Sequence, residues 1–125
     1  MGMARILIID DEASVRAALE QILKKAGHTL LLASDGQEGV RQHQMQPADL
    51  VITDLFMPNQ DGVETILDFR RLAPQMPIIA ISGNALGSDM LEVAKQLGAV
   101  AVLEKPFATE ELLAAVNKAL ANKRG

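Results

Sequence analysis

Arg5-Ile6-Leu7-Ile8-Ile9-Asp10-Asp11 is apolar from its second residue to its fifth, then stops at two carboxylates. Leu50-Val51-Ile52-Thr53-Asp54 repeats the arrangement with one acid. A strand that is apolar on both faces belongs inside a parallel sheet covered by helices. A carboxylate at its C-terminal end then lies at the edge where open α/β sheets bind ligands. Two further runs complete the pattern: Ile78-Ile79-Ala80-Ile81 ends at Ser82, and Val100-Ala101-Val102-Leu103 is followed by Lys105.

Helical patterns lie between these runs. The first strand, about Arg5 to Asp10, leads into Val15, Ala18, Leu19, Ile22, Leu23 and Ala26 at helical spacing, and Gly27 stops that helix. A strand over Thr29–Ala33 follows. Ser34 and Gln37 read as a capping box for a second helix running to about Gln44. After the Leu50–Asp54 strand, a third helix carries Ile66, Phe69 and Leu72 on its apolar side. A fourth starts near Ser88 and ends at Gly98; Thr109 caps a fifth, with Leu112, Leu113, Val116 and Leu120 inward. Five strand–helix units in regular alternation imply right-handed crossovers. The expected fold is α/β: a flavodoxin-like (βα)5 three-layer sandwich with a five-stranded parallel sheet in the order 2-1-3-4-5. In that order the first and third strands are neighbours, so topology brings Asp10, Asp11 and Asp54 together.

Composition narrows the function. A length of 125 residues suits one domain with its own core. The absence of cysteine excludes disulfides, thiolate metal sites and cysteine nucleophiles. A formal net charge of −4 argues against a nucleic-acid surface. Three phenylalanines without tyrosine or tryptophan disfavour a base-stacking platform. No apolar run approaches a membrane span and no signal peptide is evident, so the expected location is cytoplasmic. His28 and His43 read as ordinary surface or edge histidines, and the basic tail as solvated.

Clustered carboxylates need a counter-ion. Two like unit charges about 4 Å apart cost roughly 4 kcal/mol at an effective dielectric of 20. One lysine cannot neutralise three acids, so a divalent cation is the natural partner, and all-oxygen ligands favour Mg²⁺ or Mn²⁺ over zinc. A metal and a lysine beside a carboxylate suit a phosphoryl group. The carboxylate itself can be the nucleophile and become an acyl phosphate. Ser82 could donate a hydrogen bond to that group, with Gly83 leaving the approach open.

The combination Ile8-Ile9-Asp10-Asp11-Glu12, Asp54-Leu55-Phe56-Met57-Pro58 with Asp61-Gly62, Ser82-Gly83 and Lys105-Pro106-Phe107 resembles the receiver domain of bacterial two-component response regulators, a chemotaxis-receiver-like fold. The resemblance covers nearly the whole chain and implies a single receiver domain over residues 1–125, with no output domain. It implies a phosphoacceptor signalling module rather than an enzyme, one that assists its own phosphotransfer and dephosphorylation. Asp54 matches the phosphoacceptor. Asp11 would ligate Mg²⁺ directly, with an oxygen of Asp54 and the backbone carbonyl of Phe56, while Asp10 would act through water. Lys105 would pair with Asp54 and then with the phosphoryl group, Ser82 would bond that group, and Pro106 would follow a cis peptide. Phe56 and Asn84 match positions that tune phosphoryl lifetime.

The implied partners are a sensor histidine kinase or histidine phosphotransfer domain, and a downstream protein target or a lost effector domain. Neither nucleic acid nor membrane is implied; a homodimer through the helix 4–strand 5–helix 5 face is. One position departs from the family, which carries Tyr or Phe three residues before the lysine where this chain has Val102. Two other readings stay open on the residues. One is a Mg²⁺-dependent aspartyl phosphatase of the haloacid dehalogenase class, although Glu12 stands where that motif wants its second aspartate. The other is a protein-binding scaffold of receiver fold with weak or no phosphorylation switching.

Overall fold

The structure, a computed structural model, describes residues 3–55, 62–82 and 88–122. Five strands alternate with five helices: β1 (Arg5–Ile9), α1 (Ala13–Lys25), β2 (Thr29–Ala33), α2 (Gly36–Met45), β3 (Leu50–Asp54), α3 (Gly62–Leu72), β4 (Ile78–Ser82), α4 (Ser88–Gln96), β5 (Ala101–Glu104) and α5 (Thr109–Asn122). The sheet is parallel throughout, in the order β2-β1-β3-β4-β5. This is the expected order.

Side-chain alternation along each strand splits the core into two layers. Ile6 and Ile8 of β1 face one way, with Leu50 and Ile52 of β3 and Ile79 and Ile81 of β4. They pack on Leu19 and Leu23 of α1 and on Leu112, Val116 and Ala119 of α5. Leu7, Ile9, Val51, Ile78 and Ala80 face the other way, onto Ile66 and Phe69 of α3 and Ala94 of α4. β3 and β4 are buried along their whole length because helices cover both faces. β2, at the edge, is exposed or half-buried until Ala33.

Gly27 (φ 101°) and Gly98 (φ 95°) adopt the left-handed conformation just past the ends of α1 and α4, as expected. The capping box of α2 sits one residue later than Ser34/Gln37. Asp35 is the N-cap and accepts the Glu38 N–H at 2.8 Å, while the Glu38 carboxylate accepts from the Ser34 N–H at 2.8 Å. Asp is a good capping residue and Glu can reach back where Gln37 would point elsewhere. Thr109 is the first helical residue of α5 rather than its cap; Ala108 carries the first carbonyl of the helix, bonded by the Leu112 N–H, and its own N–H goes to Glu111. Leu72 is 46% exposed at the end of α3, and Ala18 of α1 and Ala26, just past the end of that helix, face solvent. Helical spacing alone overextended both stripes.

Candidate functional site

The C-terminal ends of β1, β3, β4 and β5 form one edge of the sheet. The ladder fixes their relative height: Ile9 pairs with Thr53, Asp54 with Ile81, and Ser82 with Glu104. Backbone bonds carry the pairing past the strand ends, from Asp10 N–H to Ala33 (3.1 Å), Leu55 N–H to Ile81 (2.9 Å) and Lys105 N–H to Ser82 (2.7 Å). Asp10, Asp54, Ser82 and Lys105 are therefore held by the sheet, not by loops. Asp10, Asp54 and Ser82 are buried. The Lys105–Pro106 peptide is cis.

Lys105 Nζ lies 3.3 Å from Asp54 Oδ2, 3.4 Å from Asp10 Oδ2 and 3.4 Å from Glu12 Oε1. Carboxylate oxygens of Asp10, Glu12 and Asp54 all lie within 4.8 Å of one another. Glu12 thus enters the cluster, a place that the strand-end pattern does not predict for it. Asp11, expected as the direct ligand, is exposed and lies outside this group. A signal was present: Glu is a poor N-cap, yet it occupies the N-cap of α1, where its side chain makes no capping bond. The Phe56 carbonyl, Asp61, Gly83 and Asn84 lie outside the described residues.

Burial pushes the Asp10 carboxyl up from 3.8 to about 6, and the nearby Asp54 charge adds to the effect. The Glu12 N–H, which donates to Asp10 Oδ1 at 2.9 Å, and Lys105 oppose it without cancelling it. Burial pulls the Lys105 ammonium down, but Asp10 and Asp54 outweigh that and hold it above its usual value. One ammonium facing three carboxylates leaves an excess of negative charge. The donors are all oxygens. The residues therefore fit a hard divalent cation such as Mg²⁺ or Mn²⁺.

Beside Lys105, a cleft of about 520 Å³ opens where Val102, Leu103 and Pro106 meet Lys95 and Glu111. Val102 is half-buried against the α3–α4 layer of the core. His28 is not a surface residue: it is 8% exposed, and its Nδ1 accepts the Ala4 N–H at 3.2 Å. His43 Nδ1 accepts the Ala48 N–H at 3.0 Å, and its ring meets Phe69 edge-on at 5.5 Å. No helix among the described residues is long and apolar enough to cross a membrane.

A five-stranded parallel sheet that presents this acid–lysine cluster at its C-terminal edge defines the class, and comparison with known proteins agrees. Residues 6–117 match the response regulator receiver domain, and the chain belongs to that family. It is 36% identical over 123 residues to the transcriptional regulatory protein PdtaR of Mycobacterium tuberculosis, covering 96% of this chain and 58% of that protein. It is 30% identical over 116 residues to the alkaline phosphatase synthesis transcriptional regulatory protein PhoP of Bacillus subtilis, covering 93% and 48%. The chain thus spans about half the length of these relatives. A response regulator receiver domain protein from Clostridium thermocellum superposes with a TM-score of 0.92 at 31% identity, covering 98% of both chains. A CheY-like receiver domain protein from Methanospirillum hungatei superposes with a TM-score of 0.91 at 26% identity, again over 98% of both. These matches do not favour the phosphatase or scaffold readings.

Proposed function

We propose that this receiver domain accepts a phosphoryl group on Asp54 from a phosphohistidine of a partner kinase or phosphotransfer domain, and that the modified domain controls a downstream partner. A carboxylate oxygen of Asp54 forms the new P–O bond. The P–N bond to the donor histidine breaks, and its electron pair leaves with the imidazole. Bound Mg²⁺ would neutralise phosphoryl oxygens as charge develops on them. Asp10 and Asp54 would hold it, with Asp11 and the Phe56 carbonyl as the ligands the family resemblance implies. Lys105 stabilises the transferred group from the side of β5, and Ser82 donates its hydroxyl hydrogen bond from the end of β4.

The observation that carries this reading is the pairing of Asp54, 5% exposed, with Lys105 Nζ at 3.3 Å inside an acid cluster short of cations. A buried carboxylate already facing a cation is poised to become an acyl phosphate, whose added charge of about −1.5 to −2 needs cations in place. Phosphorylation would then favour one of two conformers that the partner distinguishes. The PdtaR and PhoP relatives are named as transcriptional regulatory proteins.

Intact-mass spectrometry after incubation with acetyl phosphate and Mg²⁺ tests the proposal. A single phosphoryl adduct is expected on wild type, absent from Asp54→Ala and absent when Mg²⁺ is chelated first. An adduct on Asp54→Ala, or none on wild type with either acetyl phosphate or phosphohistidine donors, would overturn it.

A further inference from the structure

Glu12 is poorly explained as a structural residue. Its backbone is fully used: the N–H bonds Asp10 Oδ1 at 2.9 Å, and the carbonyl accepts from Val15 and Arg16 at 3.1 Å each. Its side chain makes no capping bond to α1, although it stands at the N-cap, where Ser, Thr, Asp or Asn would bond the first turn. Instead, a side chain that is 59% exposed reaches a lysine on the opposite side of the cluster, Oε1 to Nζ 3.4 Å.

The distances around Lys105 show what that contact does. Charge-assisted N–H···O bonds run at about 2.7–2.9 Å. All three contacts of the ammonium fall at 3.3–3.4 Å. The ammonium is therefore shared among three carboxylates and bonded closely to none. Asp10 and Asp54 are fixed at strand ends and buried, whereas Glu12 is the exposed member and the one free to swing into water.

We infer that Glu12 is a positioning residue that draws Lys105 away from Asp54 in the unphosphorylated domain and must release it when a phosphoryl group arrives. This rests on the receiver reading of Asp54. Glu12 adds negative charge that helps a divalent cation to bind, but it competes for the lysine and repels an incoming anionic group. Its removal should therefore move two affinities in opposite directions, whereas a loss of structure would weaken both.

The probes are Mg²⁺ alone, and beryllium fluoride at saturating Mg²⁺ as a phosphoryl mimic, each titrated against the amide NMR spectrum of wild type, Glu12→Gln and Glu12→Ser. For a unit charge about 5 Å away in largely aqueous surroundings, the affinity for the singly charged mimic should change about threefold and that for the doubly charged Mg²⁺ about tenfold. Mg²⁺ should bind more weakly and the mimic more tightly in both variants. Glu12→Ser also supplies a capping hydroxyl and should raise the melting temperature, so agreement between the variants would tie the effect to charge and not to helix stability. Unchanged affinities, parallel changes in both, or variants that diverge along with their melting temperatures would overturn the inference. If wild type itself fails to bind the mimic, the receiver reading fails first.

Discussion

Replacing Asp10 with Asn should stabilise the metal-free protein while weakening its cation site. Asp10 is 1% exposed and its carboxyl is raised from 3.8 to about 6, chiefly by burial. An acid whose folded value lies above its unfolded value binds more protons when folded, so its ionisation opposes folding. The penalty is absent below the unfolded value, grows as pH rises from 3.8 to about 6, and is complete above that window. At 1.36 kcal/mol per pKa unit it amounts to about 3 kcal/mol. Asparagine keeps an oxygen to accept the Glu12 N–H and leaves Lys105 with Asp54 and Glu12. Allowing for relaxation of the site, the gain at pH 7.5 should be about 1–3 kcal/mol, or roughly 5–15 °C in melting temperature for a domain of this size. Urea unfolding in EDTA from pH 4 to pH 8 measures it. The gain should shrink steadily below pH 6 and nearly vanish near pH 4, and added Mg²⁺ should stabilise wild type more than the variant. A variant no more stable than wild type at pH 7.5, or a gain independent of pH, would refute the reasoning.

Three other perturbations test the frame around the site. Phe69→Ala empties a fully buried position under α3 and removes the edge contact with His43, and should cost about 3–5 kcal/mol in urea unfolding. A Cβ at Gly39 of α2 would sit 2.5 Å from Ile9 Cδ1 and 2.8 Å from Cγ1, beside the strand end that carries Asp10. Overpacking of about 1–3 kcal/mol should outweigh the ~1 kcal/mol helix preference of alanine, so Gly39→Ala should lower the melting temperature. Burial, assisted by the N-terminal amine, holds His28 below 6.5. A base whose folded value is depressed contributes stability that is full above its unfolded value and is lost as pH falls below about 6.5, so the stability difference between wild type and His28→Gln should narrow from pH 7.5 to pH 5.

The fold was legible because burial on both faces makes a central strand apolar to its last residue. Leu50–Asp54 and Ile78–Ser82 could be placed to the residue on that ground. The β5 edge was harder, although β2 at the other edge runs over Thr29–Ala33 as expected. β5 begins at Ala101 and ends at Glu104, one residue later than its apolar run, because an edge strand is paired on one side only and its last residue can face water. Cap positions failed for a different reason. Ser34 and Asp35 are both good caps, and only the reach of Glu38 decides between them.

At the site, topology alone brought together Asp10, Asp54, Ser82 and Lys105, since each ends or follows a strand of known order. Asp11 and Glu12 could not be separated in that way. Both lie beyond the strand, where direction depends on the turn into α1. The turn bonds the Glu12 N–H back to Asp10, leaves Asp11 exposed and sends the Glu12 carboxylate toward Lys105. Glu12 is the position where local propensity and the actual residue disagree, a glutamate where a helix wants a shorter capping side chain.

The central claim is the chemistry of Asp54, and the most direct measurement is to trap the phosphoryl adduct with borohydride and map it by peptide sequencing. Borohydride reduces an aspartyl phosphate to homoserine. The account predicts homoserine at position 54, formed only with phosphodonor and Mg²⁺. Homoserine at another aspartate, or none in protein that carries the phosphoryl mass, would contradict it.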